Sequence, residues 1–197
     1  MKLILASASS ARRAMLAQAG IDADSIPAAV DEDMVKQSMR AEGASAAETA
    51  TALAHLKAER ISRRYPDSVV IGSDQLLVCE DAWFDKAPDL ESARARLLDF
   101  RGRAHHLVTS VVCAKGGSRI WHHVETPCLH MRRFSEDFLN WYLAHEGEAL
   151  LGSVGCYRLE GPGIQLFDRI EGDYFSILGM PLLPLLGFLR QHQALTV

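Results

Sequence analysis

The stretch 67–81, DSVVIGSDQLLVCED, decides how this chain is read. Val69, Val70 and Ile71 form one unbroken apolar run and Leu76, Leu77 and Val78 another, so the segment reads as a buried strand. Gly72-Ser73-Asp74-Gln75 interrupts it at the centre. A carboxylate at the carboxyl end of a buried run lies where ligand sites form in α/β sheets, which makes Asp74 the most informative single residue. The competing reading is an aspartate that serves a turn.

Working outward, helices flank this strand on both sides. Ser45-Ala46-Ala47-Glu48 is a capping box that opens a helix to about Arg63, with Ala50, Leu53 and Leu56 on its inner face. Asp89 and Glu91 begin another, through Leu97, closed near Gly102. Leu3-Ile4-Leu5-Ala6 reads as a second buried strand. A helix follows from Ala11 to Ala19, capped by Ser9 or Ser10, turning Met15 and Leu16 inward and stopping at Gly20. Residues 22–30 suit a strand, and the acidic cluster Asp31-Glu32-Asp33 comes next. Residues 105–131 read as two strands around the Gly116-Gly117 turn. Ser135-Glu136-Asp137 caps a helix ending near Gly147. A glycine-rich stretch, 152–163, leads to a strand over 164–170, and the last helix starts around Leu182. Interleaved strands and helices indicate an α/β fold, and the hairpin at 105–131 indicates a mixed rather than a purely parallel sheet.

The 197 residues carry 21 Lys and Arg against 25 Asp and Glu, a net charge of −4. One domain is expected, with room for two lobes. Nothing in that balance draws the chain to nucleic acid, and no basic–aromatic stripe is present, so a nucleic-acid-binding module is disfavoured. No apolar run approaches the ~18 residues of a membrane span. The N-terminus lacks the long apolar core of a signal peptide. Cys79, Cys113, Cys128 and Cys156 form no C-x-x-C pair and read as structural thiols, which fits the cytoplasm.

Arg12 and Arg13 fall in the first turn of their helix, where the dipole favours carboxylates instead. Either both lie in water, or an anion sits there, held by backbone N–H groups, serine hydroxyls and guanidinium forks. The acidic cluster is either a solvated loop or a source of oxygen ligands for Mg²⁺, which takes one or two carboxylates plus substrate phosphates. Lys57, on the edge of an apolar helical face, either snorkels or meets a phosphate. Lys86 lies in a loop. His105 precedes a strand and is either structural or a partner that fixes a carboxylate. No G-x-S-x-G, H-E-x-x-H or P-loop pattern appears. An anion cradle, carboxylates and lysines suit hydrolysis of a phosphate ester or anhydride.

In order along the chain, these segments resemble the Maf family of nucleoside triphosphate pyrophosphatases, also described as septum formation inhibitors. The resemblance covers LASASSARRAML (5–16), VDE (30–32), LAHLKAERI (53–61), IGSDQ (71–75), the Lys86 loop, RGRAHHLVTSV (101–111), GCYRLEGPG (155–163) and IEGDYFSILGMPLLPL (170–185). It implies an elongated, twisted mixed β-sheet flanked by helices, with two lobes around an active-site cleft, and a single family domain over 1–197. It implies hydrolysis of a nucleoside triphosphate to the monophosphate and pyrophosphate. Ser7, Ser9, Arg12 and Arg13 would then cradle the triphosphate, and Glu32 and Asp74 would hold Mg²⁺ or Mn²⁺. Asp74 would be general base or orient the water, Lys57 and Lys86 would act on phosphates or water, and Gln75, His105 and Thr109 would support substrate binding. A homodimer is the family's common assembly.

Ser73-Asp74-Gln75 and Glu160 resemble the branch acting on 7-methyl-GTP; the dTTP and UTP branch has Thr and Gln at the positions of Gln75 and Glu160. A carboxylate accepts the guanine N–H donors and attracts a cationic methylated base, and Tyr157 is a candidate to stack on it. Ala11 and Ala87-Pro88 depart from that branch's usual pattern. A nucleotide-sensing regulatory protein of cell division is the other reading, from a different functional class.

Overall fold

A computed structural model describes residues 2–195. The chain divides into two compact units, one of residues 1–75, 108–125 and 173–197, the other of 76–107 and 126–172. Strands and helices alternate, and the strands join in a mixed sheet, as the sequence indicated.

The first unit holds β1 (Leu3–Leu5), α1 (Ser10–Gln18), β2 (Ala23–Ser25), α2 (Glu32–Ala41) and α3 (Ala46–Ser62). It also holds most of β3 (Val69–Cys79) and of β5 (Ala104–Lys115), then β6 (Ser118–Glu125), α6 (Tyr174–Ile177) and α7 (Leu182–Gln191). β1 lies parallel to both β2 and β3, with Leu3, Ile4 and Leu5 opposite Val69, Val70 and Ile71. Alternate residues of these strands point to opposite faces, and both faces are covered. Leu3, Leu5, Val69 and Ile71 pack with Met15, Leu16, Leu185 and Phe188 on one side. Ile4, Ala6 and Val70 pack with Ala54, Ala58 and Ile61 of α3 on the other. Double coverage explains why these strands read as continuous apolar runs. α3 lies very close to β3: a Cβ at Gly72 would come 2.2 Å from the Ala54 carbonyl oxygen.

The second unit holds the end of β3, β4 (Ala82–Phe84), α4 (Leu90–Phe100), the start of β5, β7 (Cys128–Met131), α5 (Glu136–Glu146) and β8 (Phe167–Glu171). Its pairings β3–β4, β5–β7 and β7–β8 are all antiparallel. Leu76, Leu97, Phe100, Leu129, Leu139 and Tyr142 are among its buried residues.

The caps read from sequence are present: Ser9 on α1, the Ser45–Glu48 box on α3, Asp89 on α4 and Ser135 on α5. Several expectations are corrected. The strand expected over 22–30 is only three residues long, because Pro27 cannot donate to a ladder. The acidic cluster is no loop: Asp31 caps α2, accepting from the Met34 amide at 3.0 Å, and Glu32 is its first residue. No residue of α2 is buried, and its half-buried face, Glu32, Val35, Lys36 and Met39, mixes charged with apolar side chains, so no unbroken apolar run announces it. The region 105–131 holds three strands rather than two, parted at Thr126-Pro127. Residues 162–166 form a 3₁₀ turn beginning at a proline, and the strand expected at 164 starts at Phe167. All four cysteines are free thiols. No helix among the described residues is long and apolar enough to cross a membrane.

Candidate active site

The site in the first unit is built around Lys57. It projects from α3 and is 7% exposed. Its Nζ donates to Asp74 Oδ1 at 2.6 Å and pairs with Glu32 Oε1 at 2.7 Å. Snorkelling is therefore not its role: the ammonium turns to two carboxylates. Asp74 lies within β3, not at its end and not in a turn, because the apolar pattern resumes at Leu76 and the strand continues to Cys79. Its carboxylate is buried, and burial pushes its pKa above the ordinary value against the pull of Lys57 and Arg12. Glu32 sits at the N-terminus of α2, half-exposed. Burial raises its pKa, but Lys57, with Lys36 and Arg12, outweighs this and leaves it lowered.

Arg12 stands in the first turn of α1. Its Nε donates to the Gly179 carbonyl at 2.7 Å and its Nη1 to Ser7 Oγ at 3.4 Å. Ser7 Oγ also accepts from the Ser9 amide, and Ser9 Oγ accepts from the Arg12 amide. Ser7, Ser9 and Arg12 thus form one connected turn, while Arg13 is exposed beside it. Burial lowers the Arg12 pKa, with Asp74 and Glu32 opposing. Gly179 needs its glycine, since its φ is +108°.

Gln75 and Thr109 belong to a second network. Gln75 Nε2 donates to Thr109 Oγ1 at 2.8 Å and to the Ser176 carbonyl at 2.9 Å, and the Thr109 hydroxyl donates to the same carbonyl at 2.9 Å. Thr109 is fully buried. Ser73, to which the sequence assigns no role of its own, places its Oγ 2.8 Å from both the Ser110 and the Gly179 carbonyls. The Gly179 carbonyl therefore accepts from Arg12 while lying within reach of Ser73, next in the chain to Asp74. Such a role is invisible in sequence, because the acceptor is a backbone atom that any residue carries.

Lys86, His105 and Glu160 belong to the second unit. Lys86 and Glu160 are exposed, and Glu160 pairs loosely with Arg158 at 3.6 Å. His105 is fully buried; its Nε2 lies 2.7 Å from the Tyr157 hydroxyl and its ring stacks on Phe100. Burial, with His106 and His130, lowers its pKa to about 4, so the imidazole is neutral near pH 7. Tyr157 is 4% exposed and wedged between His105 and Phe167, so its ring is not free to stack on a base.

The profile of the family described as Maf-like protein matches residues 2–192. The chain belongs to the Maf family. A Granulibacter bethesdensis protein named nucleoside triphosphate pyrophosphatase is 96% identical over the full length of both chains. One of the same name from Paramagnetospirillum magneticum is 53% identical over 96% of this chain and 97% of its own. A Rhizobium meliloti protein named 7-methyl-GTP pyrophosphatase is 46% identical over 98% of this chain and 97% of its own. The Maf membership accounts for the order of motifs that the sequence presents.

Proposed function

We propose how this chain, a nucleoside triphosphate pyrophosphatase by its family and its relatives, carries out the reaction. The observation that carries the reading is the pair of buried Asp74 and Lys57, joined by half-exposed Glu32, beside Arg12. Ser7, Ser9, Arg12 and Arg13 bind the triphosphate at the start of α1, where the helix N-terminus, hydroxyls and guanidinium forks favour phosphate. Asp74 takes the proton of the attacking water at the oxygen that Lys57 does not engage. A carboxyl whose pKa is raised by burial is a better base than an exposed one. The water oxygen bonds to the α-phosphorus, the bond from that phosphorus to the bridging oxygen breaks, and pyrophosphate leaves. Lys57 holds Asp74 in place, and Lys86 is assigned to the phosphates.

Glu32 and Asp74 fit as the residues to hold Mg²⁺ or Mn²⁺. Two carboxylates converge on one buried ammonium, a donor set suited to a hard cation that draws its other ligands from phosphate and water. No cluster of three or more metal-binding side chains occurs among the described residues. Such a cation supplies charge neutralisation of the phosphates. Gln75, Thr109 and His105 are assigned to support: Thr109 and His105 are buried and would act through neighbours. Glu160 is assigned to the base, with 7-methyl-GTP as the preferred class and dTTP or UTP as the other. The same reading takes a homodimer as the assembly and the cytoplasm as the compartment, in keeping with four free thiols.

The test is pyrophosphate release with Mg²⁺ or Mn²⁺ from 7-methyl-GTP, GTP, dTTP, UTP, CTP and 5-methyl-UTP. Asp74→Asn should abolish release while nucleotide binding persists, and Glu160→Gln should weaken the preference for guanine-type bases. Unchanged turnover in Asp74→Asn removes Asp74 as base, and an unchanged substrate ranking removes Glu160 as base reader. No release from any nucleotide would favour the sensor reading.

A further inference from the structure

A concavity of about 470 Å³ lies in the second unit, walled by the chain entering β5 and the chain leaving β7. Gly102, Arg103, His130, Arg132, Arg133 and Asp168 line it. Its volume is in the range of small-molecule sites. We propose that it binds a phosphate-bearing small anion, of the class of pyrophosphate or a nucleotide's phosphate tail. This assignment is independent of the pyrophosphatase reading.

The charges of the lining are unequally used. Arg103 is neutralised by Asp99 at 2.7 Å and Glu80 at 2.8 Å, and His130 is engaged by Glu171 at 2.9 Å. Arg132 and Arg133 have no carboxylate within 4 Å among the described residues, in a chain whose net charge is −4. Asp168 is the single acid in the lining, so the two guanidiniums leave the concavity positive.

Arg132 is also held in place. Its Nε donates to the Gln165 carbonyl, and its guanidinium carbon stands 4.4 Å from the centre of the Phe138 ring. These contacts orient the plane and leave its η nitrogens as donors. The Arg133 stem lies over Gly102, whose φ is +75° and whose missing Cβ would come 3.0 Å from Arg133 Cγ. The floor is fixed by the Met131 amide donating to the Arg103 carbonyl at 3.0 Å. Two forks from neighbouring residues suit a tetrahedral phosphate, which presents oxygens in several directions. A planar carboxylate is satisfied by one fork.

The test is calorimetric titration of the whole protein with inorganic pyrophosphate, in an Arg12→Gln background to weaken the α1 cradle. One site per chain should remain. Arg133→Gln, at an exposed position, should weaken it at least about tenfold, as expected for losing a charge-assisted bond. Asp168→Asn should tighten it, and malonate should compete poorly. The proposal is overturned if Arg12→Gln removes all binding, if Arg133→Gln or Asp168→Asn changes nothing, or if malonate competes as well as pyrophosphate. Because the readout is binding, the result stands apart from any assay of nucleotide hydrolysis.

Discussion

Replacing Lys57 with Met removes the ammonium shared by Asp74 and Glu32 but keeps a long side chain of similar volume. The two carboxylates respond differently. Glu32 has a side chain 43% exposed and can return to water, so its loss is small. Asp74 has a side chain only 6% exposed and cannot. Its cheapest response is to take a proton. With an unfolded pKa of about 3.9, keeping it protonated at pH 7 costs about 1.4 kcal/mol per unit, or about 4 kcal/mol in all. Arg12 remains nearby and reduces this, so a loss of about 2–4 kcal/mol is expected, comparable to the effect of breaking a buried pair. The folded variant then binds a proton that the unfolded chain releases above pH 4. Its deficit should therefore shrink as pH falls from 7 toward 4. Urea denaturation of both proteins at several pH values reads this directly. Lys57→Met/Asp74→Asn should regain most of the loss at pH 7.5. A deficit independent of pH, one that grows in acid, or a double variant no better than the single would refute the reasoning.

Three further outcomes follow from the same geometry. Gly72→Ala places a Cβ 2.2 Å from the Ala54 carbonyl oxygen and 2.9 Å from the Ala58 amide, both backbone atoms. Relief requires α3 to move off β3, carrying Lys57 from Asp74, so a loss of about 3 kcal/mol or more by thermal melting should accompany lower turnover. His105, with its pKa lowered from 6.5 to about 4, contributes stability that is present above pH 6.5 and lost as pH falls toward 4. The full loss is of the order of 3 kcal/mol, and His105→Gln should remove that acid sensitivity in denaturation curves at pH 7.5 and 5. Arg12→Lys keeps the charge but not the fork that joins Gly179 to Ser7, so KM for nucleotide should rise about tenfold or more with the melting temperature little changed.

The fold was legible wherever burial writes a period. β1, β3 and α3 are covered by others, so their apolar runs and caps mark them. α2 is not: none of its residues is buried, its half-buried face mixes Glu32 and Lys36 with Val35 and Met39, and its clearest mark is Asp31, three residues before the Met34 amide that it caps. In sequence Asp31 reads equally as an N-cap or as part of an acidic loop, and the fold decides for the cap. Tyr157, a candidate for stacking, is excluded for a different reason. An aromatic beside a proposed base-reading residue looks available, and only the fold shows it spent on His105. The motifs single out Arg12, Lys57 and Asp74, and the structure brings these side chains into one neighbourhood; the Gly179 carbonyl that holds Arg12 has no signal in the sequence.

The same cluster resolves the oddity of an arginine in the first turn of a helix. Arg12 does not face the helix dipole alone, because the Gly179 carbonyl meets its Nε and two carboxylates act on it at longer range. In the first unit Arg12 and Lys57 balance Asp74 and Glu32, so the site is near neutral before substrate arrives. On the proposed reading, a triphosphate bound at α1 would draw on the same two cations that support the buried Asp74 charge. Either Asp74 then becomes more basic, or additional positive charge must enter with the nucleotide. Exposed Arg13 is one source of that charge. A divalent cation held by Glu32 and Asp74, as proposed above, would be the other.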